Sequence, residues 1–192
     1  MRFFLLSIFL SAIIFSGNSQ TQKSTALIII DIQDFYFPGG AAELVEPEKA
    51  GEQAKQLLSY FRENNKLVVH VRHNFQPSGE IHELVKPAEG EKVISKDEVN
   101  AFLNTDLDEY LKKNKIDEVV LCGMQTHMCL EAGTRAAHDL GYKCTVVEDA
   151  CATRDLNFGE NSIAAKDVHY STLSTLKSYA TIVNLNDFLK VE

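Results

Sequence analysis

The chain has 192 residues, of which 45% are hydrophobic and 24% charged, and it carries a formal net charge of −8. That is the make-up of one ordinary globular domain, since single domains run to roughly 100–200 residues, and it supplies enough apolar side chain for a core. The acidic balance argues against nucleic acid and anionic membrane surfaces as partners.

The amino terminus has its own character. Arg2 is followed by Phe3 to Phe15, apolar except for Ser7 and Ser11, and then by Gly17 and Ser19, two small residues two apart. This pattern predicts a secretory signal peptide over residues 1–19, cut after Ser19, and an exported mature domain over residues 20–192. The apolar run covers about 13 residues, short of the roughly 20 that a spanning helix needs, so no stable membrane span is expected after cleavage. No cysteine follows the run, which argues against lipoprotein processing.

Beyond it, strand and helix patterns alternate. Ala26-Leu27-Ile28-Ile29-Ile30 is a continuous apolar run, as expected of a strand buried on both faces. Pro47 opens a helix with Ala54, Leu57, Leu58 and Phe61 at helical spacing. Leu67 to Val71 reads as the second strand, Val93 to Ser95 as a short third, and Leu107 to Lys113 as a helix. Glu118 to Cys122 is the fourth strand, ended by Gly123. Thr126 is placed to cap a helix that runs to Leu140 and stops at Gly141. Cys144 to Val147 is the fifth strand, residues 162–178 a long helix, Thr181 to Val183 the sixth strand and Asn186 to Leu189 a final turn. Such alternation implies a parallel sheet covered on both faces, with its ligand site at the carboxyl ends of the strands.

That rule selects a short set of residues. Asp31 ends the first strand, Arg72 and His73 the second, Lys96 the third and Asp149 the fifth. Gly123 to Cys129 follows the fourth. Asp149 reads equally well as a loop cap, and Lys96 sits in a charged stretch, Lys96-Asp97-Glu98. Cys122 and Cys144 lie in apolar strand patterns and read as core residues, and a domain of this size needs no structural disulfide. Cys129 differs. In the first turn of a helix, unpaired N–H groups and the helix dipole favour a thiolate, and a nearby ammonium favours it further.

Asp31-Ile32-Gln33-Asp34-Phe35-Tyr36-Phe37-Pro38-Gly39-Gly40 resembles the first motif of the isochorismatase-like hydrolases, the superfamily that includes nicotinamidases. Cys122-Gly123-Met124-Gln125-Thr126-His127-Met128-Cys129 resembles its nucleophile motif, and the segments 134–142 and 147–153 continue the likeness. The resemblance implies a Rossmann-like three-layer α/β/α sandwich around a six-stranded parallel sheet ordered 3-2-1-4-5-6. It implies Cys129 as nucleophile, Asp31 as its general base and Lys96 holding the two in register. It further implies a cis peptide between Met124 and Gln125 that aims the backbone N–H groups of Gln125 and Cys129 at a developing oxyanion. Phe35, Phe37 and Arg72 are candidates for the substrate pocket, with the core as the alternative place for the two phenylalanines.

The expected chemistry is hydrolysis of a small-molecule amide or related C–N bond through a thioester. Two alternatives remain: vinyl ether hydrolysis of the isochorismatase type, and a non-catalytic binding protein on the same fold. The resemblance also implies a homo-oligomer. The nicotinamidase branch holds a metal through Asp-x-His after the second strand; here that stretch is Val71-Arg72-His73-Asn74. His73 and His82 alone make no recognisable metal site, so neither a metal nor any other cofactor is expected. The loop after the first strand lacks G-x-G-x-x-G, against a dinucleotide enzyme, and no C-x-x-C supports a thiol-redox one.

Overall fold

A computed structural model describes residues 24–75 and 79–191. The expected signal peptide, residues 1–19, and its cleavage point at Ser19 lie outside these residues. Six parallel strands form the sheet: β1 (Thr25–Ile30), β2 (Leu67–His73), β3 (Lys92–Lys96), β4 (Glu118–Met124), β5 (Lys143–Ala152) and, after a hairpin, β8 (Ala180–Val183). Their order is β3-β2-β1-β4-β5-β8. This is the expected 3-2-1-4-5-6 arrangement, with β8 as the sixth strand of the sheet.

The apolar run at β1 takes the central place because no other position hides both faces of a strand; Ala26 to Ile30 are all buried. Helix α1 (Pro47–Glu63) buries Ala54, Leu57, Leu58 and Phe61 against one face. Helix α5 (Leu185–Val191) joins that layer by stacking Phe188 on Phe61. Helices α2 (Leu107–Lys113), α3 (Glu131–Asp139) and α4 (Ala165–Leu176) cover the other face. Each large side chain so buried stabilises the fold by about 1.5–3 kcal/mol.

The register aligns the strand ends. Ile30 lies beside Val71 on one side and Gly123 on the other, and His73 pairs with Lys96. The crossing is so close at Gly123 (φ 134°) that a Cβ there would stand 1.9 Å from the Ile30 carbonyl oxygen. Only glycine fits, and it lets β4 run two residues past its expected end at Cys122. Strand β5 also runs further than expected. Leu121 pairs with Val146, but Gly123 pairs with Cys151, so β5 bulges outward and returns.

Three other expectations are corrected. The helix expected over 162–178 is shorter, because residues 156–163 form an antiparallel hairpin, β6 (Leu156–Phe158) and β7 (Asn161–Ile163). Those strands are exposed, with Phe158 80% accessible, so no alternation of apolar and polar residues marks them. Asp149 does not end β5. It lies within the strand, and its Oδ1 accepts the Leu185 N–H at 2.8 Å, which makes it a cap for α5. Thr126 does not cap α3; its hydroxyl donates to the Ala152 carbonyl at 3.2 Å and meets His169 Nδ1 at 2.9 Å.

Candidate functional site

Strand geometry delivers three groups to one point. Asp31 follows β1 in a left-handed conformation (φ 51°), its N–H bonded to the Val71 carbonyl at 2.9 Å. A non-glycine residue held there costs of the order of 1–3 kcal/mol, and such positions concentrate at functional sites. Lys96 is the last residue of β3 and is buried along its whole length. Cys129 comes from the turn after β4. The Lys96 ammonium lies 2.7 Å from Asp31 Oδ2 and 3.3 Å from Cys129 Sγ. The Lys96–Asp31 contact is an ion pair rather than an aligned hydrogen bond, and Asp31 Oδ1 is buried without a partner among the described residues.

The turn that carries the thiol is not the first turn of an α-helix. Residues Thr126–Leu130 form a π-helical turn, with Leu130 N donating to the Gln125 carbonyl at 3.3 Å, and α3 begins only at Glu131. π-turns of this kind recur at functional sites. The Met124–Gln125 peptide that precedes it is cis. Gln125 is buried; its Nε2 donates to the Tyr36 hydroxyl at 3.4 Å, and its Oε1 has no partner among the described residues.

The expected preference for thiolate does not hold in the resting site. Burial, reinforced by the Asp31 charge, pushes the Cys129 thiol up to about 12, against the pull of Lys96. Burial also raises the Asp31 carboxyl, with Lys96 opposing. Both groups therefore resist charge, and the one ammonium faces them both. Burial raises the Tyr36 hydroxyl as well, and the Asp31 and Cys129 charges add to the effect.

The other pocket candidates separate from the three. Phe35 and Phe37 are core side chains; Phe37 stacks on His82 with centroids 3.5 Å apart. Arg72 lines a cleft of about 630 Å³ with Asp34, Glu80, His82 and Lys86, which does not include Asp31, Lys96 or Cys129. Residue alternation explains this, because Arg72 and His73 point to opposite faces of β2. Tyr36 is a neighbour that the strand-end rule passed over, whereas His73 is one that it selected. His73 Nδ1 lies 3.2 Å from Lys96 Nζ. Among the described residues no three His, Cys, Asp or Glu converge in a way that would hold a metal ion. The four cysteines are all free and buried.

The isochorismatase domain family matches residues 25–178. The isochorismatase family protein YddQ of Bacillus subtilis is 45% identical over 179 residues, covering 87% of this chain and 99% of that one. Maleamate amidohydrolase of Pseudomonas putida is 28% identical over 178 residues, 80% of this chain and 84% of its own. Among solved structures, a protein of Oleispira antarctica assigned to the isochorismatase hydrolases superposes with a TM-score of 0.85 at 41% identity, over 88% of this chain and 98% of that one.

Proposed function

The chain belongs to the isochorismatase family of hydrolases, and on that premise we propose that it is a cysteine hydrolase that cleaves a small-molecule amide or related C–N bond through a thioester. The observation that carries this reading is the position of one buried ammonium, Lys96, against both a carboxylate and a thiol, 2.7 Å and 3.3 Å away. A relative whose name specifies amide hydrolysis, the maleamate amidohydrolase, supports it.

In this reading the Cys129 proton passes to Asp31 as the sulfur attacks the carbonyl carbon. Lys96 holds the thiolate while it exists. The carbonyl oxygen becomes an oxyanion facing the backbone N–H groups of Gln125 and Cys129. The protonated Asp31 then returns its proton to the leaving nitrogen, the C–N bond breaks, and an amine or ammonia departs. Water, activated by the same carboxylate, opens the thioester and releases the acid. No step needs a metal or cofactor. Vinyl ether hydrolysis gives a thiol at this position no task.

The test is mass spectrometry of the protein incubated with a panel of small amides. The expected result is an adduct of acyl mass on Cys129, absent in Cys129→Ala, with turnover unchanged by prolonged EDTA. Turnover without any adduct in rapid-quench samples, undiminished in Cys129→Ala, would remove the thiol from the reaction. Loss in EDTA restored by Zn²⁺ would place the chemistry on a metal. We also propose export of the mature domain; intact mass of protein from its native cells is expected to begin near Gln20, and a mass retaining Met1 overturns it.

A further inference from the structure

Asp31 Oδ2 faces the Lys96 ammonium as an ion pair, but two other oxygens near the thiol, Asp31 Oδ1 and Gln125 Oε1, are buried with no hydrogen-bond partner among the described residues. Both are acceptors. A buried polar atom is costly to leave unpaired, so unpaired acceptors at one place point to a ligand that brings donors. We propose that Gln125 is a specificity-determining residue: its Oε1 accepts an N–H of the scissile nitrogen, so that the site selects unsubstituted carboxamides and releases ammonia.

The fold sets both residues on one rim. Ile30 lies beside Gly123 in the β1–β4 register, so Asp31 and Met124 come next on each side and Gln125 is one residue further. The Gln125 carbonyl accepts the Met128 and Leu130 N–H groups at 3.0 and 3.3 Å, which folds the turn that carries Cys129 back towards it. The Gln125 side chain is itself held, because its Nε2 donates to the Tyr36 hydroxyl at 3.4 Å. That bond decides which end of the carboxamide is left over. Nε2 and Oε1 are the two prongs of one planar group, so with Nε2 on Tyr36 the remaining prong is an acceptor. The same hydroxyl feels the charges of both Asp31 and Cys129, which keeps this carboxamide in the neighbourhood of the thiol.

Counting donors separates the leaving groups. The nitrogen of an unsubstituted carboxamide carries two N–H groups and can serve both acceptors. An N-alkyl amide offers one and sets carbon against the other acceptor. An ester oxygen offers none. A site built to hydrogen-bond an N–H strongly rejects the analogue that lacks it, because its own buried acceptor is then left unpaired. The bonding balances with the proposed reaction. The carbon–sulfur bond forms, the carbon–nitrogen bond breaks, and the nitrogen leaves with its own two hydrogens and the proton that Asp31 took from the thiol. The acyl group stays on sulfur until water releases it as the acid.

This rests on the reading of Cys129 as nucleophile, and the test keeps the two apart. Unsubstituted amides, N-methyl amides and methyl esters of the same small aliphatic and aromatic acids are compared by kcat/KM, with the mass of any Cys129 adduct recorded. The parent is expected to favour the unsubstituted amide over the N-methyl amide by about a hundredfold or more. In Gln125→Met and Gln125→Leu, which cannot accept, the amide-to-ester ratio of kcat/KM is expected to fall about tenfold or more. Each ratio is taken within one preparation, so a fraction that has lost its fold does not alter it, and the backbone N–H of residue 125 serves both substrates alike. An unchanged ratio in either variant overturns the proposal. So does a parent that turns over N-methyl amides as fast as unsubstituted ones, a result that needs no variant to fold. Adducts on Cys129 with no such selectivity would leave the thiol reading standing and end this one. Turnover without any Cys129 adduct would remove both.

Discussion

Two carboxylates in this protein sit beside a cation and a third polar side chain, and their proton affinities move in opposite directions. Glu91, in the loop before β3, receives Arg62 through two bonds at 2.8 and 2.7 Å, the Ala88 N–H at 2.7 Å and His70 Nε2 at 2.9 Å. Arg62 and these further donors hold its carboxyl down at about 2, against a burial effect that works the other way. Asp31 receives Lys96 off-line and leaves Oδ1 without a partner; there burial dominates and the carboxyl is raised. A guanidinium fork satisfies both oxygens of a carboxylate, whereas an ammonium is a point charge that satisfies one. The satisfied acid holds the fold together, and the unsatisfied acid is left with appetite for a proton. Both centres draw on β2, with His70 on one face and His73 on the other.

The sharpest test of that contrast is Asp31→Asn. It keeps the shape but cannot carry a proton, so amide turnover is expected to fall by about 10² or more. The thiol midpoint should also drop below its parent value near 12, because the Asp31 charge that helps raise it is gone. Steady-state kinetics and alkylation profiles read the two effects. Full turnover in Asp31→Asn would end its assignment as the base.

Removing the cation separates the centres next. Lys96→Met leaves a buried carboxylate with no counter-charge, which typically costs about 3–5 kcal/mol. At the other centre the Arg62 side chain is 36% open to water, and Arg62→Met is expected to cost about 1 kcal/mol. Urea midpoints compare them, and equal losses would show that burial is not what distinguishes the two pairs.

The smallest effect is expected at Glu91 itself. Glu91→Gln should leave turnover within about twofold, since it lies outside the candidate site, and lower stability by about 1–2 kcal/mol after allowing for solvent screening. The sign follows from the depressed folded value. Stability from ionised Glu91 is complete above its ordinary value of 4.5 and is lost as the pH falls through about 2. Glu91→Gln should therefore flatten the acid limb of a stability-against-pH curve in that window. Asp31 acts in the reverse sense, because a group raised by folding contributes stability that is present at low pH and lost as pH rises. An unchanged acid limb in Glu91→Gln would assign the stabilisation elsewhere.

The sequence by itself determined where the candidate reacting groups sit along the chain. An apolar run such as Ala26 to Ile30 makes a central strand by composition alone, and the residue after it falls on the rim that binds ligands. Asp31, Lys96 and Cys129 could be picked out this way because strand ends are local features, and alternation with helices settled the layering of the sheet. What those groups do to one another was decided only by the tertiary structure. Desolvation is a property of everything packed around a site, so a thiol expected to favour thiolate from its place in the chain is held as a thiol once Asp31 and the core close over it. The places of Tyr36 and His73 beside these groups were hidden for the same reason. They depend on contacts 23 to 89 residues apart in sequence, such as His73 with Lys96 and Tyr36 with Gln125, and no local pattern encodes such distances. The hairpin at 156–163 escaped because exposed strands have no buried face to impose a period of two.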